Sequence, residues 1–210
     1  LLPENERLLD VIPQDAIVTL ITNLSVDLDN NKIFRKLAQR SKVGWSMSFD
    51  NIGSRLEYVR HGSSWPQIQR NLTWIKDLMR SQGQWGGIHA VYNIYNATRF
   101  TELRAFAAET DTTVLWQNLF QPDHLDPFLH GPKVAKTAIE EIDRFYSMGI
   151  ATDAERQFFD RSRQIYSDIV EARPGIEHKF RQHVKQIETQ YHTDKLGQFA
   201  TLWPELDHLC

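Results

Sequence analysis

The segment Val43-Gly44-Trp45-Ser46-Met47-Ser48-Phe49-Asp50 divides by parity. In an extended strand alternate side chains leave opposite faces, so Val43, Trp45, Met47 and Phe49 share one face, and Gly44, Ser46, Ser48 and Asp50 the other. Strands of parallel sheets are normally apolar on both faces. A small, hydroxylated, acid-ended face therefore has two explanations: an exposed or edge strand, or a cavity wall whose hydroxyls bind a polar ligand. The segment that follows, Asn51 to Gly62, carries Arg55, Arg60 and His61. A guanidinium just past a strand's C-terminal end can grip a carboxylate or phosphate with two hydrogen bonds; the plainer alternative is a solvated loop charge. Farther on, His89, Asn93 and Tyr95 share parity on a strand expected over 88–96, and Gln117 lies on the next. These are either substrate contacts or buried, satisfied polar groups.

Other chemistries find little support. Cys210, the last of 210 residues, is the one cysteine, which excludes a disulfide framework, an all-cysteine zinc site and an iron–sulfur cluster held by this chain alone. His124 and His130 flank Asp123 and Asp126, and His178 and His183 lie five apart, but no H-x3-H or H-E-x-x-H spacing occurs, so a metal site built by this chain is not expected. A nucleophile elbow and a glycine-rich phosphate loop are also absent. With 24 Lys and Arg against 27 Asp and Glu, net charge gives no pull toward nucleic acid or anionic membrane. The basic run from Lys32 to Lys42 reads as a solvated helix face. No apolar run reaches the roughly 18 residues of a membrane span, and the N-terminus lacks a signal-peptide layout, so a soluble, cytoplasmic protein is expected. The chain opens on Leu1, which suggests a processed product, an excised piece or a fragment.

Positioning these residues falls to alternating strands and helices. Strands are expected over 16–23, 43–50, 88–96 and 112–121, with helices between them: one capped from Asp29-Asn30-Asn31, one opened by a Ser64/Gln67 capping box, and one over Phe100 to Glu109. Gly83, Gly86 and Gly87 are expected to break the second helix. From Pro132 to about His192 the pattern is helical, with apolar faces at Ile139, Ile142 and Phe145, then Phe158, Ile165 and Ile169, then Ile176, Phe180 and Val184. Such alternation predicts βα units and a parallel sheet, whose functional end is the strands' C-terminal end.

Ser48-Phe49-Asp50-Asn51, Arg55, Tyr58-Val59-Arg60, Gly62, Trp65 and Asn71-Leu72 together resemble the fourth strand and following loop of radical SAM enzymes, in the branch with SPASM or twitch extensions. Thr22-Asn23-Leu24 resembles that family's third strand. Asn96 with Thr101-Glu102-Leu103 is similar to the close of its fifth strand and the helix after it. His192-Thr193-Asp194-Lys195-Leu196-Gly197, Phe199 and Trp203-Pro204-Glu205-Leu206 resemble the terminal segment of twitch-type members, although Lys195-Leu196-Gly197 lacks the family's arginine.

The resemblance implies an α/β fold: strands three to six of a partial (β/α)6 barrel over 1–131, with a helical C-terminal region over 132–210 packed on it in the same domain. It implies that Ser48 and Arg60 bind the methionyl carboxylate of S-adenosylmethionine (AdoMet), and that Asn23, Ser46 and Asp50 lie along the same cavity near the ribose or the substrate. His89, Asn93 and Gln117 are the weaker substrate candidates. The family's C-x3-C-x2-C and G-G-E-P motifs are absent from this chain. The 4Fe-4S cluster that would generate a 5′-deoxyadenosyl radical must then come from a missing N-terminal segment or a complementary chain, and the isolated chain is expected to be inactive. The implied substrates are peptides or proteins. The alternative is a non-catalytic α/β module of the same fold that binds a ligand or a partner.

Overall fold

A computed structural model of the chain describes residues 3–191 and 198–210. Helix α1 (Pro3–Val11) leads to β1 (Val18–Thr22), α2 (Lys32–Ala38), β2 (Val43–Ser48), α3 (Gly53–Val59), α4 (Trp65–Gln82), β3 (Trp85–Tyr92), α5 (Phe100–Glu109) and β4 (Val114–Asn118). Two 3-10 turns, Asp123–Leu125 and Pro127–Leu129, lead into α6 (Pro132–Ser147), α7 (Asp153–Ser167) and α8 (Ile176–Tyr191). The short α9 (Phe199–Leu202) and a 3-10 segment, Pro204–Leu209, form the tail. The terminal motif residues 192–197 lie outside the described residues.

The strands make one parallel sheet in the order β1-β2-β3-β4. Right-handed crossovers between successive parallel neighbours place every connecting helix on the same side. The core lies there: Phe34 and Leu37 of α2, Ile68 and Ile75 of α4 and Phe100 of α5 cluster with Trp45, Met47, Ile88, Tyr92 and Trp116 of the sheet. The α/β class, the parallel sheet and the helical C-terminal region all match expectation.

Several local expectations need correction. Asn31 does cap α2, accepting from Phe34 N at 3.2 Å, and Gly83 ends α4 at φ +67°. Gly86 and Gly87, however, lie inside β3, which runs Trp85–Tyr92 rather than 88–96. A Cβ on Gly86 would strike the Trp45 carbonyl oxygen, and one on Gly87 the Thr113 hydroxyl; glycine here permits close strand packing. The Ser64/Gln67 capping box does not form. Glu57 Oε1 accepts the Trp65 N–H at 2.6 Å instead, while Gln67 donates to Asn71 Oδ1 at 3.0 Å. The segment expected to be a loop over 51–62 contains α3. Helix α7 buries Glu155, Phe159, Ser162 and Tyr166; of the expected stripe, Phe158 and Ile169 are half-buried against the core and Ile165 is exposed, and Arg104, paired with Glu155 at 2.8 Å, makes the burial of that carboxylate tolerable.

A second apolar cluster joins Tyr58, Ile94, Tyr95, Phe180, Phe199 and Trp203. It surrounds the turn after β3 and so flanks the strands' C-terminal end. Trp203 Nε1 donates to Tyr95 O at 2.7 Å. Glu205 accepts from Arg99 at 2.6 and 2.8 Å and from Thr98 at 2.9 Å. Burial raises the Glu205 pKa, but these hydrogen bonds outweigh it and hold the group below its usual value.

Four histidines gather beside this cluster. The His124 and His183 rings are 4.7 Å apart, and His130 Nε2 lies 2.9 Å from His124 O. Among the described residues, His124 Nε2, His130 Nδ1 and both ring nitrogens of His208 are buried without a hydrogen-bond partner. Burial lowers the pKa of all four, that of His130 to about 4. Asp123 opposes this at His124, while Lys179 there and Lys133 at His208 reinforce it.

The folded state thus holds these imidazoles neutral, whereas the unfolded chain protonates them near pH 6.5. The unfolded state binds more protons below that pH, so stability is full above it and is lost progressively as pH falls toward about 4. His130 alone accounts for on the order of 3 kcal/mol of that loss. Thermal melts between about pH 7.5 and 4.5 are expected to show a falling Tm, with a shallower slope for His130→Gln. Parallel slopes would contradict the assignment.

Candidate functional site

The helix-free face of the sheet is built from alternate residues of each strand. Ile21 sits beside Ser46 and Ser46 beside Gly87; Ser48 sits beside His89, His89 beside Leu115, and Val91 beside Gln117. The parity division of β2 is therefore real: Val43, Trp45, Met47 and Phe49 are buried in the core, while Ser46 and Ser48 remain partly exposed on the opposite side. Gly87, beside Ser46, has its side-chain position closed off by the Thr113 hydroxyl. Large apolar groups at the margins, Ile21, Trp85 and Leu115, are 72%, 46% and 65% exposed.

Asp50, just past β2, joins three elements at the C-terminal rim. Its Oδ1 accepts the Val91 N–H at 2.7 Å, and its Oδ2 pairs with Arg60 Nη2 at 2.9 Å. Its main-chain carbonyl accepts from Asn96 Nδ2 at 3.2 Å. Arg60 caps the C-terminus of α3, its own N–H donating to Leu56 O at 2.8 Å. The guanidinium is 27% exposed and the carboxylate 11%, so the pair faces solvent through the arginine.

Asn23 follows β1 and is exposed; its Oδ1 accepts from Ser25 N and Oγ at 3.2 and 2.7 Å. Asn23 and Ser48 line one groove of about 310 Å³ with Ile21, Thr22 and Val26. His89 and Gln117 belong to the open face. Asn93 does not: it lies beyond the end of β3, is buried, and commits its amide to Val91 O and Tyr95 N, each at 2.9 Å. Tyr95 turns into the second core cluster. The expected Asn93/Tyr95 face is therefore a correction, and its cause is the earlier end of the strand.

Two further groups hold the rim in place. Asn96, whose amide also reaches Val91 O at 2.8 Å, locks the turn after β3; the Asn-x-x-Asn spacing of 93 and 96 is the signal that points to it. The Val91 N–H, as a main-chain group, leaves no signal at all.

The donor set suits a polar organic ligand with a carboxylate and hydroxyls: Ser46 and Ser48 hydroxyls, the Asn23 amide, and the guanidinium nitrogens of Arg60 not committed to Asp50. It does not suit a 4Fe-4S cluster, since Cys210 is the chain's one thiol. Among the described residues no group of three or more His, Cys, Asp or Glu side chains is placed to hold a metal ion, and no helix is long and apolar enough to cross a membrane.

No family model and no curated protein matches this chain. It is similar to solved structures of native anSMEcpe. The form with bound AdoMet and Cp18Cys peptide aligns at TM-score 0.41 and 15% identity, over 70% of this chain and 39% of that one. The form with bound AdoMet aligns at 0.41 and 16%, over 61% and 36%. The form with AdoMet and Kp18Cys peptide aligns at 0.41 and 15%, over 83% and 44%. The chain spans less than half the length of these proteins. At that likeness neither ligand nor activity carries across.

Removing Asp50 should cost more than removing its partner, because Asp50 also satisfies a main-chain donor. Asp50→Ala is expected to lower stability by about 1–3 kcal/mol and Arg60→Ala by about 1 kcal/mol or less, given the exposed guanidinium. Urea denaturation of both variants checks the order. A larger loss for Arg60→Ala would show that the arginine, not the carboxylate, organises the rim.

Proposed function

We propose that this chain is the part of a radical SAM enzyme that forms the AdoMet and substrate cavity, acting on a peptide or protein. The observation that carries this reading is the coincidence of residues: Ser48 and Asp50, which bear the sequence resemblance, close a strand with a polar open face, and Arg60, which bears it too, is held by Asp50 with guanidinium nitrogens to spare.

Bound AdoMet supplies an adenosyl group activated by its sulfonium. The chain's own residues bind and orient it. Arg60 offers the charge complement of the methionyl carboxylate, with Ser48 as a second donor. Asn23 in the groove and Ser46 on the open face serve the remaining hydroxyls, and Asp50 positions Arg60. His89 and Gln117 face the substrate side. Exclusion of water requires a cover over Ile21, Trp85 and Leu115, and a complementary polypeptide bearing the cluster cysteines would provide it. The single cysteine favours a second reading, a non-catalytic module that uses the same face only to bind a ligand or partner.

Calorimetry with AdoMet on the whole chain tests the first reading. Weak binding is expected, weakened at least about tenfold by Arg60→Ala and about fivefold by Ser48→Ala, as the loss of one charged and one neutral hydrogen bond implies. No AdoMet response at millimolar ligand would overturn it and leave the partner-binding module.

A further inference from the structure

Strand β4 ends the sheet, and the direction of its ladder shows which of its groups are free. Ile88 N–H donates to Thr113 O at 2.8 Å and Ile88 lies opposite Val114. By the alternation of a parallel ladder, Thr113, Leu115 and Gln117 aim their main-chain groups at β3, while Val114, Trp116 and Asn118 aim theirs outward. Among the described residues, no hydrogen-bond partner meets these outward N–H and C=O groups.

This edge borders a groove of about 300 Å³ walled on its far side by one stripe of α7, including Glu155, Phe158 and Arg161. Trp116 Nε1 reaches Glu155 at 3.4 Å, and the Phe158 ring lies 5.7 Å from that of Tyr92, the register partner of Asn118. Helix α7 therefore runs along β4, with Arg161 one turn past Phe158, toward the C-terminal rim. Asn118 Oδ1 is buried without a partner. Glu155 is neutralised by Arg104 at 2.8 Å, whereas exposed Arg161 has no carboxylate partner among the described residues, so the groove carries a net positive bias.

We propose that the β4 edge binds an extended peptide as a fifth strand, with an acidic side chain against Arg161. Main-chain pairing identifies the occupant as a strand, and the helical far wall admits a single chain rather than the sheet of a second copy. Alternate side chains of the added strand fall beside exposed Leu115 on the open face and beside Phe158 on the other. The edge thus delivers a peptide toward the rim that holds Asp50 and Arg60. The proposal names the substrate or partner class for that region, and its test needs no AdoMet.

The probe is a ten-residue peptide alternating Val and Thr with one glutamate, compared with its glutamate-to-lysine form and with a form N-methylated at alternate amides. In the whole chain, without AdoMet, the parent peptide is expected to slow amide hydrogen exchange at Val114, Trp116 and Asn118 at least tenfold. The N-methylated form should fail to bind. Arg161→Glu should weaken the parent peptide at least threefold and favour the lysine form, with melting temperature as the folding control; Asn118→Ala should also weaken the parent. Equal binding of the N-methylated peptide, protection at Thr19 and Ile21 instead, no binding at millimolar peptide, or protection that grows with protein concentration alone would each overturn the proposal, the last by identifying a second copy as the occupant.

Discussion

A parallel sheet whose strands follow in chain order has no freedom in where its helices go. Each right-handed crossover returns on the same side, so one face is buried without interruption and the other keeps none of the connecting helices. Everything distinctive about this chain follows from that asymmetry. Trp45, Met47 and Phe49 meet the helices and are almost inaccessible to solvent. Ser46 and Ser48, one residue out of phase, face a surface where small polar groups carry no desolvation penalty because water or a ligand can satisfy them.

The parity of β2 alone makes this much legible in the sequence. So do Asn31 and Gly83, whose roles depend only on their own helix. Three of the misreadings share a cause: each depends on a residue far away in sequence. Gly86 and Gly87 look like helix breakers because nothing local reveals that Trp45 and Thr113 press against them. The buried stripe of α7 contains Glu155, and its burial makes sense only with Arg104, 51 residues earlier. Helix α3 hides in a charged segment because Arg55 finds Leu202 O at 2.7 Å and Glu102 at 2.5 Å. Asp50 is legible as an acid ending a polar face; its main-chain partner at Val91 is not.

Several of the described motif residues are tied to distant parts of the chain. Arg55 reaches Leu202, Arg99 reaches Glu205, and Trp203 reaches the turn after β3. Each partly exposed ion pair contributes little by itself. Together with the aromatic cluster around Tyr95, they fix the outer flank of the C-terminal rim, while its inner side stays open. Rigidity on one side and access on the other is the arrangement that a preorganised binding site requires.

The Asp50–Arg60 pair also constrains what such a site accepts. Its net charge is near zero, so a simple anion approaching the free guanidinium nitrogens gains attraction from Arg60 and loses much of it to Asp50 a few ångströms away. Breaking the pair to release the whole guanidinium would leave a buried carboxylate without its charged partner, held by the Val91 N–H alone, at a cost comparable to the gain. A ligand that carries both charges avoids this conflict, with its carboxylate on Arg60 and its cationic group on the Asp50 side. Electrostatics alone therefore favours a zwitterion over a phosphate at this rim, and AdoMet has that charge distribution.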